Sequence, residues 1–228
     1  MIEESLHNIQ QRMADAMASV GRTDTALLVA VTKNHPVSAV EEVAQLGCTH
    51  VGENRVQEAK EKQMLYKGPK LVWHLIGHLQ VNKVRQAVPM FDLIHSVDSK
   101  KLLDEIEKVA AKHDKVQDIL LQVNVAREAS KSGMSVEEFP EVRDYAKTLL
   151  HVRVRGLMCM APFFENPEEA RPIFRVAYVL YEDMKGYFPE GDIQYLSMGM
   201  THDFEVALQE GANIVRVGTA IFGERVYN

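Results

Sequence analysis

Cysteine is scarce in this chain. Cys48 and Cys159 are the only two in 228 residues, far apart and each in apolar company. Two such thiols give no disulfide framework and suit a reducing compartment. Long hydrophobic runs are missing too. None approaches the ~20 residues that span a bilayer, and the start, Met1-Ile-Glu-Glu-Ser-Leu-His-Asn8, lacks the charged-then-apolar order of a signal peptide. There is no basic block. The net charge is -6, and acidic and basic residues alternate along helical stretches, which speaks against nucleic acid or an anionic membrane as partner. A cytoplasmic location is expected. No linker, internal repeat or low-complexity segment interrupts the chain. No G-x-G-x-x-G follows the first strand, which removes the best sign of a dinucleotide fold.

What the chain has is alternation. The composition, 46% hydrophobic and 25% charged, is that of a globular protein. A chain this long buries roughly 70–75% of its unfolded surface. Short apolar runs predict strands at 26–32, 50–52, 71–76, 93–97, 119–125, 152–158, 193–198 and 214–217. Helical patterns lie between them. Pro36 to Leu46 carries Val37, Val40, Val43 and Ala44 on one face, with Gly47 as stop. Ser99 opens a helix with Leu102, Leu103, Ile106, Val109 and Ala110 on its apolar side. Ser135 and Glu138 fit a capping box, and Pro140 pushes the helix start two or three residues on. Thr201 is expected to cap a short helix through Phe204, Ala207 and Leu208. Eight strands in alternation favour an α/β fold of the closed (β/α)8 TIM-barrel type over an open sheet. Residues 26–228 would form the barrel as a single domain, with residues 1–25 an extra amino-terminal helix, centred on 5–20.

In such a barrel, ligands bind where strands end. Lys33 stands there, after the six apolar residues Ala26 to Val31. A lysine so placed is a candidate Schiff-base former, although a lysine that merely snorkels out of a strand end fits the position as well. The ends of strands seven and eight carry Ser197-Met-Gly-Met-Thr-His-Asp203 and Val215-Arg-Val-Gly-Thr-Ala-Ile-Phe-Gly223. Hydroxyls of Ser197, Thr201 and Thr219, with Gly199 and Gly218, make a phosphate cup plausible, while glycines that only permit tight turns are the plainer alternative. Arg216 interrupts an apolar run, and a buried arginine is rare unless paired. It either faces the barrel interior or pairs with a carboxylate such as Glu53. Lysine, arginine and phosphate cup at one mouth are the parts of a pyridoxal 5′-phosphate site. A nearby guanidinium and partial desolvation would both favour the neutral lysine that attacks an aldehyde. An arginine at the ring nitrogen disfavours its protonation and weakens the cofactor as an electron sink.

These residues carry a resemblance. Val31-Thr-Lys33, Gly52-Glu-Asn-Arg55, His74 to Lys83, Ser130-Lys-Ser-Gly133, Gly156-Leu-Met158, Ser197 to Met200 and Val215 to Gly223 occur in order. From Leu27 to Arg225 the chain resembles the pyridoxal-phosphate homeostasis family, single-domain proteins similar to the barrel of alanine racemase. The resemblance implies that Lys33 holds the cofactor and that Ser197, Thr201, Gly218 and Thr219 meet its phosphate. Arg216 would meet the ring nitrogen, and Asn54 and Met158 the ring. Asn34-His35 stands where the family more often has Thr-Lys, and Thr201 where serine is expected. The family implies cofactor buffering and carriage with effects on amino-acid and keto-acid balance, and no established catalysis. Dependent apoenzymes are the expected recipients and a monomer the expected state, because the chain ends at Asn228 without the racemase's extra β-domain. Two other readings stay open. A single-domain amino-acid racemase would use His35, His78 or His202 as second base, and a Schiff-base aldolase would use no cofactor. A metal enzyme is not expected, since His74 and His78 fall at a strand end rather than on a helix.

Overall fold

Alternating apolar and amphipathic runs close here into a barrel. The computed structural model describes residues 1–223. The last residues of the expected barrel, including Arg225 where the resemblance ends, lie outside them. The strands are β1 (Leu27–Val31), β2 (His50–Glu53), β3 (Val72–Leu75), β4 (Leu93–Val97), β5 (Gln117–Gln122), β6 (Val152–Met158), β7 (Tyr195–Ser197) and β8 (Ile214–Val217). Every neighbouring pair is parallel, and β8 pairs with β1, Val29 opposite Arg216, so the sheet has no free edge. The helices are α1 (Ile2–Ala18), α2 (Val37–Gln45), α3 (Val56–Leu65), α4 (Val84–Ala87), α5 (Lys100–Lys112), α6 (Phe139–Ala146), α7 (Arg171–Met184), α8 (Phe204–Gln209) and α9 (Thr219–Phe222).

Local signals account for most boundaries. Ser99 Oγ accepts the Leu102 N–H at 3.2 Å and starts α5, a cap whose loss costs about 1 kcal/mol. Ser135 and Glu138 exchange side-chain-to-backbone bonds of 2.9 and 3.1 Å. The helix proper begins at Phe139, which puts Pro140 in the first turn, where its missing N–H has no partner to lose. One expectation is corrected. Thr201 caps no helix: α8 begins at Phe204 after Asp203. The Asp203 carboxylate takes the Met200 N–H at 2.7 Å, closing a turn through 201–203. β5 starts two residues early, at Gln117, a polar residue buried in the sheet, and ends at Gln122, three residues before the expected end.

Most of the core lies between strands and helices. α1 buries Leu6, Ile9, Met13, Ala16 and Met17. It is fastened by Arg12, which donates twice to Glu205 at 3.0 Å. Inside the barrel, Val29, Leu93, Leu120, Met158 and Ile214 form a separate apolar layer. His74, His95, Ser197 and Arg216 are buried as well, an unusual polar set for a barrel interior.

Candidate functional site

The strand ends converge on a cavity of about 470 Å³ at the carboxyl end of the barrel. β1 ends in Val31, Lys33 follows it in the turn, and the loop after β2 contributes Asn54. Ile76, Gly77 and His78 follow β3, and Gln122 ends β5. Thr201 and His202 come from the turn after β7, and Arg216, Gly218 and Thr219 from β8 and the start of α9. Lys131, Ser132, Met160 and Met200 complete the wall.

The backbone around Lys33 is clamped from α3. Lys62 is buried, and its Nζ donates to Thr32 O at 2.6 Å, Glu53 Oε1 at 2.6 Å and Glu58 Oε1 at 2.7 Å. Thr32 Oγ1 also donates to Glu53 at 2.6 Å, and Glu58 takes the Asn34 N–H at 2.5 Å. Asn34 sits at φ 61°, in the left-handed region that asparagine tolerates better than most residues. Lys33 is thus bracketed by two anchored neighbours. Burial pushes the Glu53 carboxyl up, against the opposing pull of Lys62 and Thr32.

Arg216 does not pair with Glu53, whose charged partner is Lys62. It is 3% exposed. Its Nη1 donates to Ser197 Oγ at 2.5 Å and its Nη2 to Cys159 O at 3.3 Å. Among the described residues the guanidinium touches no carboxylate. Burial pushes it down to about 10, offset in part by the field of Asp203, so it remains a cation at neutral pH. Few buried cations lack an ion pair, and this one forms part of the cavity wall.

Of the eight residues singled out in the sequence, six line this cavity: Lys33, Asn54, Thr201, Arg216, Gly218 and Thr219. The structure places the other two beneath it. Ser197 is fully buried, its hydroxyl held by Arg216 and by His95 Nδ1 at 2.9 Å. Met158 belongs to the inner apolar layer. Met160, two residues on, reaches the wall instead, as expected where side chains alternate along a strand. The two glycines differ. Gly199 has φ +100°, and a Cβ there would lie 2.7 Å from Ala207 Cβ, so it is a turn glycine. Gly218 has φ -121°, and its Cβ would press on Val31 at 3.2 Å. It permits close approach of β8 to β1 at the cavity rim.

The remaining histidines divide. His78 and His202 line the cavity. His35 stacks on Phe222, ring centroids 4.6 Å apart, and is not part of the wall. His74 meets His95 on one side and His50 on the other, at 2.8 and 2.9 Å. Sequence reasoning missed this row, because its three imidazoles come from three different strands, β2, β3 and β4. It also missed Lys131 and Ser132, although Ser130-Lys-Ser-Gly133 stood out as a string.

Barrel, leading helix and cavity define the class: a barrel of the alanine-racemase type. The family model for the alanine racemase N-terminal domain matches residues 5–226. The pyridoxal phosphate homeostasis protein of Aquifex aeolicus is 43% identical over 98% of each chain. That of Haemophilus influenzae is 37% identical over 100% of this chain and 97% of its own. The chain belongs to this family of pyridoxal phosphate homeostasis proteins. PipY of Synechococcus elongatus, solved without PLP and with PLP bound, is 36% identical. It covers 98% of this chain and 100% of its own, with TM-scores of 0.88 and 0.82. Alanine racemase of Clostridium difficile shares the fold at 14% identity and a TM-score of 0.69, over 96% of this chain and 60% of its own.

Proposed function

We propose that this chain binds pyridoxal 5′-phosphate in the cavity, with the Lys33 amine as covalent anchor, and serves the homeostasis and carriage of that cofactor. The observation that carries the reading is Arg216, a buried guanidinium on the cavity wall whose contacts are neutral oxygens. Such a cation favours an acceptor from the ligand. The cavity, about 470 Å³, falls within the usual size for small-molecule sites. The names of the relatives and the PLP-bound PipY structure support the same ligand.

In this reading, Lys33 supplies the nucleophilic amine, and the clamp from Lys62 holds its backbone in place. Arg216 faces the ring nitrogen as a permanent donor and keeps a proton off it. Asn54 meets the ring. Thr201, Gly218 and Thr219, grouped at the ends of β7 and β8, take the phosphate, where the start of α9 leaves amides without intrahelical partners. Ser197 and Met158 act from below the wall. When bound, the cofactor supplies an electrophilic aldehyde and a conjugated ring, and the guanidinium limits the ring as an electron sink. That suits a protein that holds and releases the cofactor for dependent apoenzymes.

Titration with pyridoxal 5′-phosphate, followed by visible absorbance, tests the anchor. The unaltered protein should develop a band at saturation, and Lys33→Ala should develop none above the free cofactor. An equal band in Lys33→Ala would refute the assignment.

A further inference from the structure

The polar row inside the barrel has a direction. Arg216 can only donate, so Ser197 Oγ accepts from it. Among the described residues, the one serine proton then has a single partner, His95 Nδ1, 2.9 Å away. In the reverse arrangement a protonated Nδ1 would donate to Ser197 and leave the buried hydroxyl hydrogen unpartnered, at about 1–3 kcal/mol. His95 must therefore carry its proton on Nε2, which points to His74 Nδ1 at 2.8 Å. His74 in turn donates from Nε2 to His50 Nδ1 at 2.9 Å. Burial, then the neighbouring His74 and Arg216, holds the His95 imidazole well below the usual histidine range. Burial and His50 push His74 down to about 3. Both rings are neutral, as the one-way order requires.

We propose that His95, acting through Ser197, is a positioning residue for Arg216, and that His74 and His50 fix the tautomer in which it does so. The functional consequence rests on Arg216 facing the cofactor ring as proposed above. A carboxylate in the place of Ser197 would neutralise the guanidinium. A line of neutral groups orients it and leaves its charge to the cavity. Each donated bond also polarises the next in the same sense. The row starts at Arg216 on the cavity wall and ends at His50, the first residue of β2, half-buried beside Cys48 and Thr49 at the opposite end of the barrel.

Nitrogen-15 NMR of the whole protein, labelled at histidine, reads the tautomers without any substitution. His74 and His95 should each show a protonated Nε2 and a bare Nδ1 from about pH 8 to about pH 5.5. A protonated Nδ1 on His95 would overturn the proposal. A second arm uses protein loaded with pyridoxal 5′-phosphate. His95→Leu should weaken retention roughly tenfold and move the pH midpoint of the visible band. His95→Asn, whose amide oxygen can replace Nδ1 as acceptor, should restore both. Equal behaviour of the two variants would contradict a positioning role. Should the unaltered protein take up no cofactor on Lys33, the proposed function falls, and the NMR result still decides the direction of the row.

Discussion

Single residues carry most of the chemistry. Arg216 and Lys33 were legible in the sequence because each is a cation attached to an apolar run, which is costly unless a structure uses it. Ser197 was legible as a hydroxyl at a strand end, but the pleat turns it inward under Arg216. That changes what its removal should do. Ser197→Ala should weaken pyridoxal 5′-phosphate and phosphate-free pyridoxal alike, because it acts through the guanidinium. Thr219→Ala should selectively weaken the phosphorylated form, roughly tenfold for one lost charge-assisted hydrogen bond. Parallel titrations with the two ligands measure this, and a phosphate-selective loss in Ser197→Ala would return that hydroxyl to the phosphate cup. Arg216→Ala should lower affinity for both ligands, and unchanged affinity would remove it from the site.

At the scale of elements, β1 is set by its own apolar run, but the turn that presents Lys33 is set by α3. Nothing in the sequence pointed to Lys62. A lysine among Glu58, Lys60 and Glu61 looks like one more charge on a solvated helix face. The helix instead turns Lys62 onto Glu53 and Thr32, both fully buried. Lys62→Ala would leave the Glu53 carboxylate buried without its cation, at a cost of about 3–5 kcal/mol. Glu53→Gln in that background should recover part of the loss. Chemical denaturation of the single and double variants tests this, and a loss below about 1 kcal/mol would mean that the pair is solvated. The Ser99 cap was legible, but pairings across the barrel were not. A cap lies within four residues of what it caps, as Ser99 does for Leu102, whereas a row such as His50, His74 and His95 joins three strands.

For the whole molecule, eight short apolar runs were enough to indicate a closed barrel, because parallel strands buried on both faces stand out from amphipathic helices. The polar layer inside was hidden, since alternation tells which residues point inward but not which of them meet. That layer has a consequence for stability. The folded pKa of His74 is pushed down to about 3 and that of His95 is also lowered, while in the unfolded chain both titrate near the ordinary value of about 6.5. Their contribution is present above that value and is lost as pH falls from it toward the folded pKa, because only the unfolded state takes up the protons. Each ring should remove about 1.4 kcal/mol per pH unit in that window. Denaturant unfolding at a series of pH values should show this slope, reduced by one ring's share in His74→Gln. An unchanged slope in that variant would mean that His74 is protonated in the folded state. The central claim is that one amine at the barrel mouth captures the cofactor. Borohydride reduction of the protein with pyridoxal 5′-phosphate, followed by peptide mass spectrometry, tests it most directly. The added mass should fall on the peptide containing Lys33 and on no other. Its appearance on Lys131 or a scatter of surface lysines instead would contradict the account.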